Sequence, residues 1–449
     1  MEESGKSRRK FDYAWVIFAL CFLCVCTSLG LCSSGKTYYL TAITEALDIK
    51  RSLYSLTDTI RYGITTLLNL FLGFFIGKFG VKKLLCAGFV SLIGFAYISS
   101  IAENLWGFYL GAVLLGIGLS WTSTAMMSAV VGIWCKKNKG TMTGIILSAN
   151  GLGGAIAVQI ISPIIFRPSD HPLGYEPFGY RDSYRLVALI LAVVLLLVIL
   201  FFKERPKGVD KGELAVGQNK KKARGTGWVG MDYDQAVKKP YFYLAMLCIF
   251  LTGMSLQGIG GIATPHMYDL GFDKQFVANI GTVTSLCLMG TKIFAGTMYD
   301  RTGIKITMNI CFICAFFSIG GLVILDNTAM GRIIALIRGI MGTVALPLET
   351  VMLPLFASEL FGDKSFVKIV GIFSAANTAG LALGAPFANM CFDIFNNYNL
   401  SFVVLALFMA FSITAMNFVV RAANRDKKII LAALRQNEDR EAQESLSEK

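Results

Sequence analysis

Charged residues are scarce in this sequence. Only 16% of its 449 residues are Asp, Glu, Lys or Arg, whereas soluble domains carry about 25%, which excludes an ordinary water-soluble protein. Hydrophobic residues make up 55% of the chain, and the mean hydropathy is +0.60. The apolar residues form segments of about 20 residues, the length that a helix needs to cross a bilayer. The sequence therefore predicts an all-α, polytopic membrane protein.

Histidine is scarcer still. The two histidines, His171 and His266, lie far apart, and neither has a cluster of cysteines or acidic residues beside it. Most of the 11 cysteines fall in or next to apolar segments, where a thiolate ligand facing lipid would be costly. Ser, His and Asp never cluster, and the glycine-rich stretches lie inside apolar segments rather than after strands. We therefore predict no metal site, no cofactor and no enzymatic activity.

Twelve apolar segments predict twelve transmembrane helices. If the N-terminus is cytoplasmic, 31 of the 42 Lys and Arg residues lie on the cytoplasmic side and 7 on the other, as the positive-inside rule requires. Both termini are thus expected in the cytoplasm and the protein in the plasma (cytoplasmic) membrane. Topology and contact with lipid headgroups then account for the net charge of +13, without nucleic acid. The expected spans are 14–35, 55–77, 84–102, 105–133, 141–166, 184–202, 241–263, 276–298, 306–325, 332–356, 366–391 and 400–421.

Two stretches occur twice at equivalent positions. Residues 144–150 (GIILSAN) return at 371–377 (GIFSAAN), and residues 73–82 (GFFIGKFGVK) return at 296–305 (GTMYDRTGIK). Such a repeat predicts two six-helix halves related by an axis along the membrane normal, with a substrate cavity between them. The expected domains are an N-terminal half (1–202), a cytoplasmic linker (203–240), a C-terminal half (241–421) and a cytoplasmic tail (422–449).

The repeated turn resembles the signature loop of the major facilitator superfamily, and the resemblance covers nearly the whole chain. It implies the twelve-helix fold of that family, with glycines in a tight turn and an Asp–Arg pair that can lock the cytoplasmic gate. The first copy departs from the pattern, with Gly77 where the acid is expected. The gate-motif residues are Gly73, Gly77, Lys78 and Gly80 in the first half and Gly296, Asp300, Arg301 and Gly303 in the second.

Further motifs resemble the monocarboxylate and oxalate/formate branch of the superfamily. They are the segment from Trp134 to Gly144, the NGLGG stretch at 150–154, and LFG at 360–362. In this resemblance Lys36 corresponds to the lysine of the monocarboxylate carriers, and Lys292 stands where the branch has a substrate-binding arginine. Asn377 stands where oxalate carriers have a lysine, which argues against a dianionic substrate.

Ionisable side chains inside the spans each cost about 2.5–3.5 kcal/mol to insert, so each needs a reason. The deep ones are three cations, Lys36, Lys292 and Arg338, and one acid, Glu349. This surplus favours an anionic substrate and disfavours a cationic one. Lys292 is the expected main anchor, with Lys36 and Arg338 assisting. The alternatives are that these cations have structural partners and that Lys36 snorkels to water.

For the other polar residues in the spans, the sequence predicts structural roles beside possible functional ones. Glu349 follows Arg338 by eleven residues, which places both on one face of a continuous helix; it is either a proton-coupling site or a gating or packing partner. Asp58 and Arg61 should pair on one helix. Asn150 and Asn377 are expected to bond between helices or line the cavity. The interfacial aromatic belt is expected for Tyr38 and Tyr39, with a cavity wall as the alternative.

Together these features predict a secondary transporter for a small organic anion, most simply a monocarboxylate. It would work by alternating access, coupled to a proton or exchanging a counter-anion, with one chain as the transport unit. One alternative is an exporter of amphipathic compounds, in which the buried charges are structural. Another is a membrane sensor that keeps the fold but transports nothing.

Overall fold

The computed structural model describes residues 13–123, 126, 127, 130, 131, 134, 139–204, 230–350, 352–362 and 364–447. In these ranges the chain is helical almost throughout. We number the helices α1 Ala14–Val25, α2 Tyr39–Ala46, α3 Arg51–Leu70, α4 Leu72–Phe79, α5 Val81–Ile101, α6 Leu105–Trp121, α7 Lys139–Ile165, α8 Gly179–Phe201, α9 Tyr233–Val237, α10 Pro240–Asp269, α11 Lys274–Val323, α12 Ala329–Ala345, α13 Pro347–Thr350, α14 Met352–Phe361, α15 Phe366–Phe395 and α16 Asn399–Ser447.

Nine helices of the described part are long and apolar enough to cross a membrane, and α6 is a shorter apolar helix. The most hydropathic is α8, which buries only 28% of its apolar window inside the protein and so presents most of it to the surroundings. Large exposed apolar side chains such as Leu196 and Leu200 cover its outer face, as lipid contact requires. The all-helical membrane architecture is confirmed, while the count of twelve spans and their orientation stay predictions.

The sequence repeat has a counterpart in the backbone. Gly80, between α4 and α5, has φ 81° and ψ 161°, and Gly303, at the bend within α11, has φ 78° and ψ 174°. Only glycine adopts such angles without strain, so both copies of the repeated turn depend on the same residue. The predicted counterparts α7 and α15 each contain a proline within the helix, Pro163 and Pro386.

The first span is not a regular helix. After α1 the chain forms a π-helical segment, Cys26–Ser33, and a 3₁₀ turn, Ser34–Tyr38, before α2 resumes. The π-helical segment packs closely on α7, because a Cβ at Gly153 would lie 2.1 Å from the carbonyl oxygen of Cys26. Such irregular turns often occur at functional sites. Here they place Ser33, Ser34, Thr37 and Tyr38 at the wall of a central cavity.

The halves meet through α3 with α15 and through α7 with α11. Tyr13 at the start of α1 and Glu204 after α8 lie at one end of the bundle, from which residues 203–240 leave; we call it the linker end. At the opposite end Arg51 of α3 reaches across to Asp269 of α10, with Nη1 and Nη2 donating to the carboxylate at 2.5 and 2.7 Å. Arg51 also donates to the Tyr398 hydroxyl.

A second acid completes this junction. The carboxylate of Asp393 in α15 accepts hydrogen bonds from the backbone N–H groups of Arg51 and Ser52, at 3.2 and 2.9 Å, and so caps the first turn of α3. Among the described residues, no side-chain hydrogen bond or ion pair joins the halves at the linker end. The structure is therefore a state that is closed at the Arg51 end.

The predicted tail, 422–449, is helical through Ser447 and follows the last span without a break. Near its start Asp426 pairs with Lys239 at 2.7 Å and Lys427 approaches Glu359 at 3.6 Å. The first turns beyond the span are thus attached to the rest of the C-terminal half. Of the predicted linker, residues 205–229 lie outside the described residues.

Candidate substrate-binding cavity

A cavity of about 340 Å³ lies between the two halves. Its walls combine hydroxyl and amide groups with small apolar residues. Two arginines face it, Arg61 from the first half and Arg338 from the second, and none of its described lining residues is acidic. The polar lining residues used below are Ser33, Tyr38, Arg61, Tyr62, Gln257 and Arg338.

Arg338 is held on α12 by contacts of its backbone and stem. The hydroxyl of Ser318 donates to its carbonyl oxygen at 2.9 Å, and Gly321 leaves room for its Cβ, which would lie 2.9 Å from a Cβ at that glycine. The residue is 7% exposed, and its Nε atom is buried without a hydrogen-bond partner among the described residues. A buried guanidinium in this condition is costly unless an anion completes its coordination.

Arg61 belongs to a buried cluster of three charges that we call the Lys36–Asp58–Arg61 triad. Asp58 Oδ1 accepts Lys36 Nζ at 2.8 Å and lies 3.1 Å from Arg61 Nη2. Thr57 accepts a second bond from Lys36 at 2.7 Å, and Ser33 accepts Arg61 Nη1 at 2.9 Å. One carboxylate thus serves two cations, and the triad keeps a net positive charge beside the cavity.

The triad alters two expectations. Lys36 does not snorkel to water: it is 8% exposed and its ammonium points to α3. Asp58 and Arg61 do pair as expected, and Arg61 nevertheless belongs to the wall of the cavity. Sequence spacing could not show this, since the direction of a guanidinium depends on the tertiary fold.

Aromatic and amide groups complete the wall. Tyr38 lines the cavity, in the alternative position considered for it, and its hydroxyl occupies the space beside Gly281 of α11. Tyr62 donates to Gln257 Oε1 at 3.0 Å across the two halves, and the guanidinium of Arg61 stacks 4.2 Å from the Tyr62 ring. Each half thus contributes both a cation and neutral hydrogen-bonding groups.

Two further predicted site residues are Lys292 and Glu349. Lys292 is within α11, but its side chain lies outside the described part of the structure, so its role as the main anchor stays a prediction. Glu349 is half-buried in α13. The expectation that it shares a face with Arg338 stays a prediction: α12 ends at Ala345, Leu346 keeps right-handed helical angles, and α13 begins at Pro347. Proline lacks the N–H that would continue the helix.

The repeated asparagines lie at helix contacts. Asn150 receives a hydrogen bond of 3.5 Å from Ser34, the residue that begins the 3₁₀ turn. Asn377 is 7% exposed and packs on Gly253 of α10, where a Cβ would lie 2.8 Å from its Oδ1. Neither is among the described residues that line the cavity.

The gate-motif residues lie at the linker end. Gly73, Gly77 and Lys78 are in α4, and Gly296, Asp300 and Arg301 are in α11. Asp300 and Arg301 are exposed, and among the described residues neither forms an ion pair. In the first half Glu204 accepts a hydrogen bond from the backbone N–H of Lys82 at 2.8 Å, just after Gly80. The role of the gate-motif residues as a lock stays a prediction.

Comparison with known proteins agrees with this architecture. The family model of the Major Facilitator Superfamily matches residues 18–352 and 245–437. The uncharacterized MFS-type transporter YcxA of Bacillus subtilis (strain 168) is 24% identical over 387 residues, which are 84% of this chain and 88% of the relative. The sialic acid transporter NanX of Escherichia coli (strain K12) is 24% identical over 293 residues, which are 63% of this chain and 66% of the relative.

Solved structures share the fold. A variant of the nucleoside transporter NupG superposes with a TM-score of 0.72 at 14% identity, over 91% of this chain and 99% of that one. At this identity the likeness concerns the fold alone. The family match, however, extends over nearly the whole length, and the relatives named above are transporters rather than enzymes. This multi-pass membrane chain therefore belongs to the Major Facilitator Superfamily.

Proposed function

We propose that this protein is a secondary transporter of an organic anion whose carboxylate binds between Arg61 and Arg338. The observation that carries the proposal is that two guanidinium groups face one cavity whose described wall contains no acidic residue. An arginine can hold a carboxylate through two parallel N–H···O bonds, which fixes its orientation as well as its position.

The charge balance favours a single carboxylate. The Lys36–Asp58–Arg61 triad has a net charge of +1, and Arg338 adds one more. A monocarboxylate bridging the two arginines would lower this excess without leaving a carboxylate unpaired. A cationic drug would bring positive charge to a cavity that already holds a surplus, which disfavours the exporter alternative.

The size of the cavity favours an acid with a substantial polar body. A volume of about 340 Å³ lies in the range of pockets that enclose drug-sized ligands, about 300–1,000 Å³. Formate or lactate would leave much of it filled with water. Hydroxyls and amides around the wall suit a hydroxylated acid, and the relative NanX is named for sialic acid, itself a sugar carboxylate.

Transport would proceed by alternating access, coupled to a proton or by exchange. The Arg51 end is closed here, and the halves make no described side-chain bond at the linker end, so this state would exchange substrate there. Rocking the halves about the cavity would break the Arg51–Asp269 pair and bring the linker end together. If both termini are cytoplasmic, the present state faces the cytoplasm.

Counterflow in proteoliposomes tests the proposal. Vesicles are loaded with one unlabelled acid at a time, from formate and lactate to gluconate and sialic acid, and uptake of the labelled form is followed. We expect uptake with at least one larger monocarboxylate and loss of at least nine-tenths of it in Arg338→Gln. The control is Arg332→Gln, which removes an exposed arginine from the same helix and should leave uptake unchanged.

Two results would contradict the proposal. Full uptake by Arg338→Gln would exclude this arginine as the anchor and would point to the other predicted anchor, Lys292. Failure of every acid, together with uptake of hydrophobic cations, would favour the exporter alternative.

A further inference from the structure

We propose that Asp58 is the proton-coupling acid and that it competes with the substrate carboxylate for Arg61. This inference rests on the proposed function, because it assigns the coupling step of the same cavity. Glu349 was the sequence-based candidate for this role, and the geometry favours Asp58 instead.

Arg61 already contacts two groups of the protein. Its Nη1 donates to Ser33 and its Nη2 lies 3.1 Å from Asp58 Oδ1, while Nε is buried without a partner among the described residues. A guanidinium offers a carboxylate two bidentate edges, one formed by Nε and Nη2 and the other by Nη1 and Nη2. Both edges include Nη2, so a substrate carboxylate would approach the same nitrogen that Asp58 now contacts.

Binding of the substrate also changes the charge around Asp58. A substrate carboxylate at Arg61 would place a second anion close to ionised Asp58, and two carboxylates that share a cation do not both remain ionised readily. Protonation of Asp58 removes the repulsion and releases Arg61 Nη2 to the substrate. Proton and anion binding are therefore mutually favourable, and the coupling acts equally in both directions.

A proton can reach Asp58 through a water-sized space. A small polar chamber of about 30 Å³ lies against Asp58 and shares Ser33, Arg61 and Gln257 with the wall of the substrate cavity. A chamber of more than about 10–15 Å³ with several polar partners can hold a water molecule. Water there can pass a proton between the cavity and the carboxylate, whose side chain is 13% exposed.

Asp58 is the one acid among the described residues that line this chamber, and Glu349 lies within electrostatic range of Tyr62. Lys36 faces Asp58 from the 3₁₀ turn, and Arg61, Tyr54 and Tyr62 surround it on its own helix. From the second half, α10 and α15 present Gln257, Gly261 and Ala385 to the same chamber. Asp58 is thus the described carboxylate that a proton in this chamber can bind.

The step is balanced. One proton from water forms an O–H bond on Asp58, the Arg61 Nη2 hydrogen bond passes to the substrate carboxylate, and no other bond changes. Release of substrate on the other side of the membrane restores the Arg61–Asp58 contact and returns the proton to water. The transport cycle is then a symport of one anion with one proton.

The test compares two transport modes in proteoliposomes. Asp58→Asn should keep counterflow, since exchange needs no net proton movement, and should lose at least nine-tenths of the uptake that a pH gradient drives. Asp182→Asn, which neutralises an exposed acid of α8, is the matched control and should retain both. Glu349→Gln tests the other acid, and loss of gradient-driven uptake in that variant, with uptake kept in Asp58→Asn, would overturn the assignment. Asp58→Asn leaves Lys36 and Arg61 side by side without an anion between them. The double variant Lys36→Gln/Asp58→Asn keeps the net charge of the triad and is therefore measured as well.

A measurement on the unaltered protein avoids any defect of folding. The transported acid is added to detergent-purified protein in weak buffer. The protein should then take up about one proton per bound anion, which a pH-sensitive dye reports. Gradient-driven uptake that survives in Asp58→Asn, or binding without proton uptake, would overturn the inference. Absence of counterflow in the unaltered protein would overturn the proposed function itself, so the two failures are distinguishable.

Discussion

At the residue scale, the cavity depends on guanidinium groups rather than on positive charge alone. Arg338 could be predicted as a site residue from the sequence, because a charged side chain inside an apolar helix is costly to insert and therefore indicates a function. Arg61 was assigned to Asp58 by spacing, and only the fold shows that it also faces the cavity. Lys36 and Asp58 are 22 residues apart on different helices, so no helical periodicity could have paired them.

Substitution of Arg338 by lysine tests the need for the planar group. Lysine keeps the charge but cannot form two parallel bonds to a carboxylate. Loss of one hydrogen bond to a charged group costs about 1.5–3 kcal/mol, so we expect KM to rise roughly 10- to 100-fold. Initial rates of counterflow over a range of substrate concentrations measure this. A KM within twofold of the original would mean that a point charge suffices.

At the element scale, the irregular first span determines which side chains reach the cavity. Hydropathy predicted a span at 14–35 and could not predict its π-helical and 3₁₀ turns, because these depend on close packing between Gly153 and the backbone of Cys26. The same turns bring Tyr38 inward, although its position near the end of the predicted span favoured the membrane interface. By contrast, the repeated glycine turns were identified from sequence, because positive φ angles restrict the residue type.

Substitution of Gly153 by alanine tests this packing. A Cβ there would lie 2.1 Å from a backbone oxygen, and relief of such overpacking costs about 1–3 kcal/mol. We expect a lower unfolding temperature, measured by the fluorescence of a thiol-reactive dye or by size-exclusion chromatography after heating, together with reduced counterflow. Gly144→Ala on the same helix is the control, since its Cβ would meet open space. Equal melting of the two variants would disprove the importance of the contact.

At the scale of the whole molecule, two halves meet at one end around a charged junction. Hydropathy and the repeat predicted the halves, but the partners of Arg51 lie in three separate segments of the other half, Asp269, Asp393 and Tyr398. Pairing over such distances along the chain is set by how the halves dock. The junction stabilises the present state, so its loss should favour the opposite one.

Substitution of Arg51 by alanine tests that role. Removal of its charged hydrogen bonds should shift the balance between states by about 1.5–3 kcal/mol, or roughly 10- to 100-fold. Spin labels on the loops 166–178 and 324–328 should then report longer distances at the Arg51 end. Arg185→Ala, which breaks an exposed pair with Asp182 inside one half, should leave the distances unchanged. An unaltered distance distribution in Arg51→Ala would show that the junction does not hold this end closed.

Recognition of a carboxylate is the central claim, and a comparison of an acid with its own amide tests it most directly. Counterflow of the best transported monocarboxylate is measured with increasing concentrations of the unlabelled acid and of the corresponding primary amide, which has nearly the same shape without the charge. We expect the acid to inhibit at concentrations at least tenfold lower than the amide, and this preference to disappear from any residual uptake in Arg338→Gln. Equal inhibition by acid and amide in the unaltered protein would contradict the claim that the two arginines bind an anion.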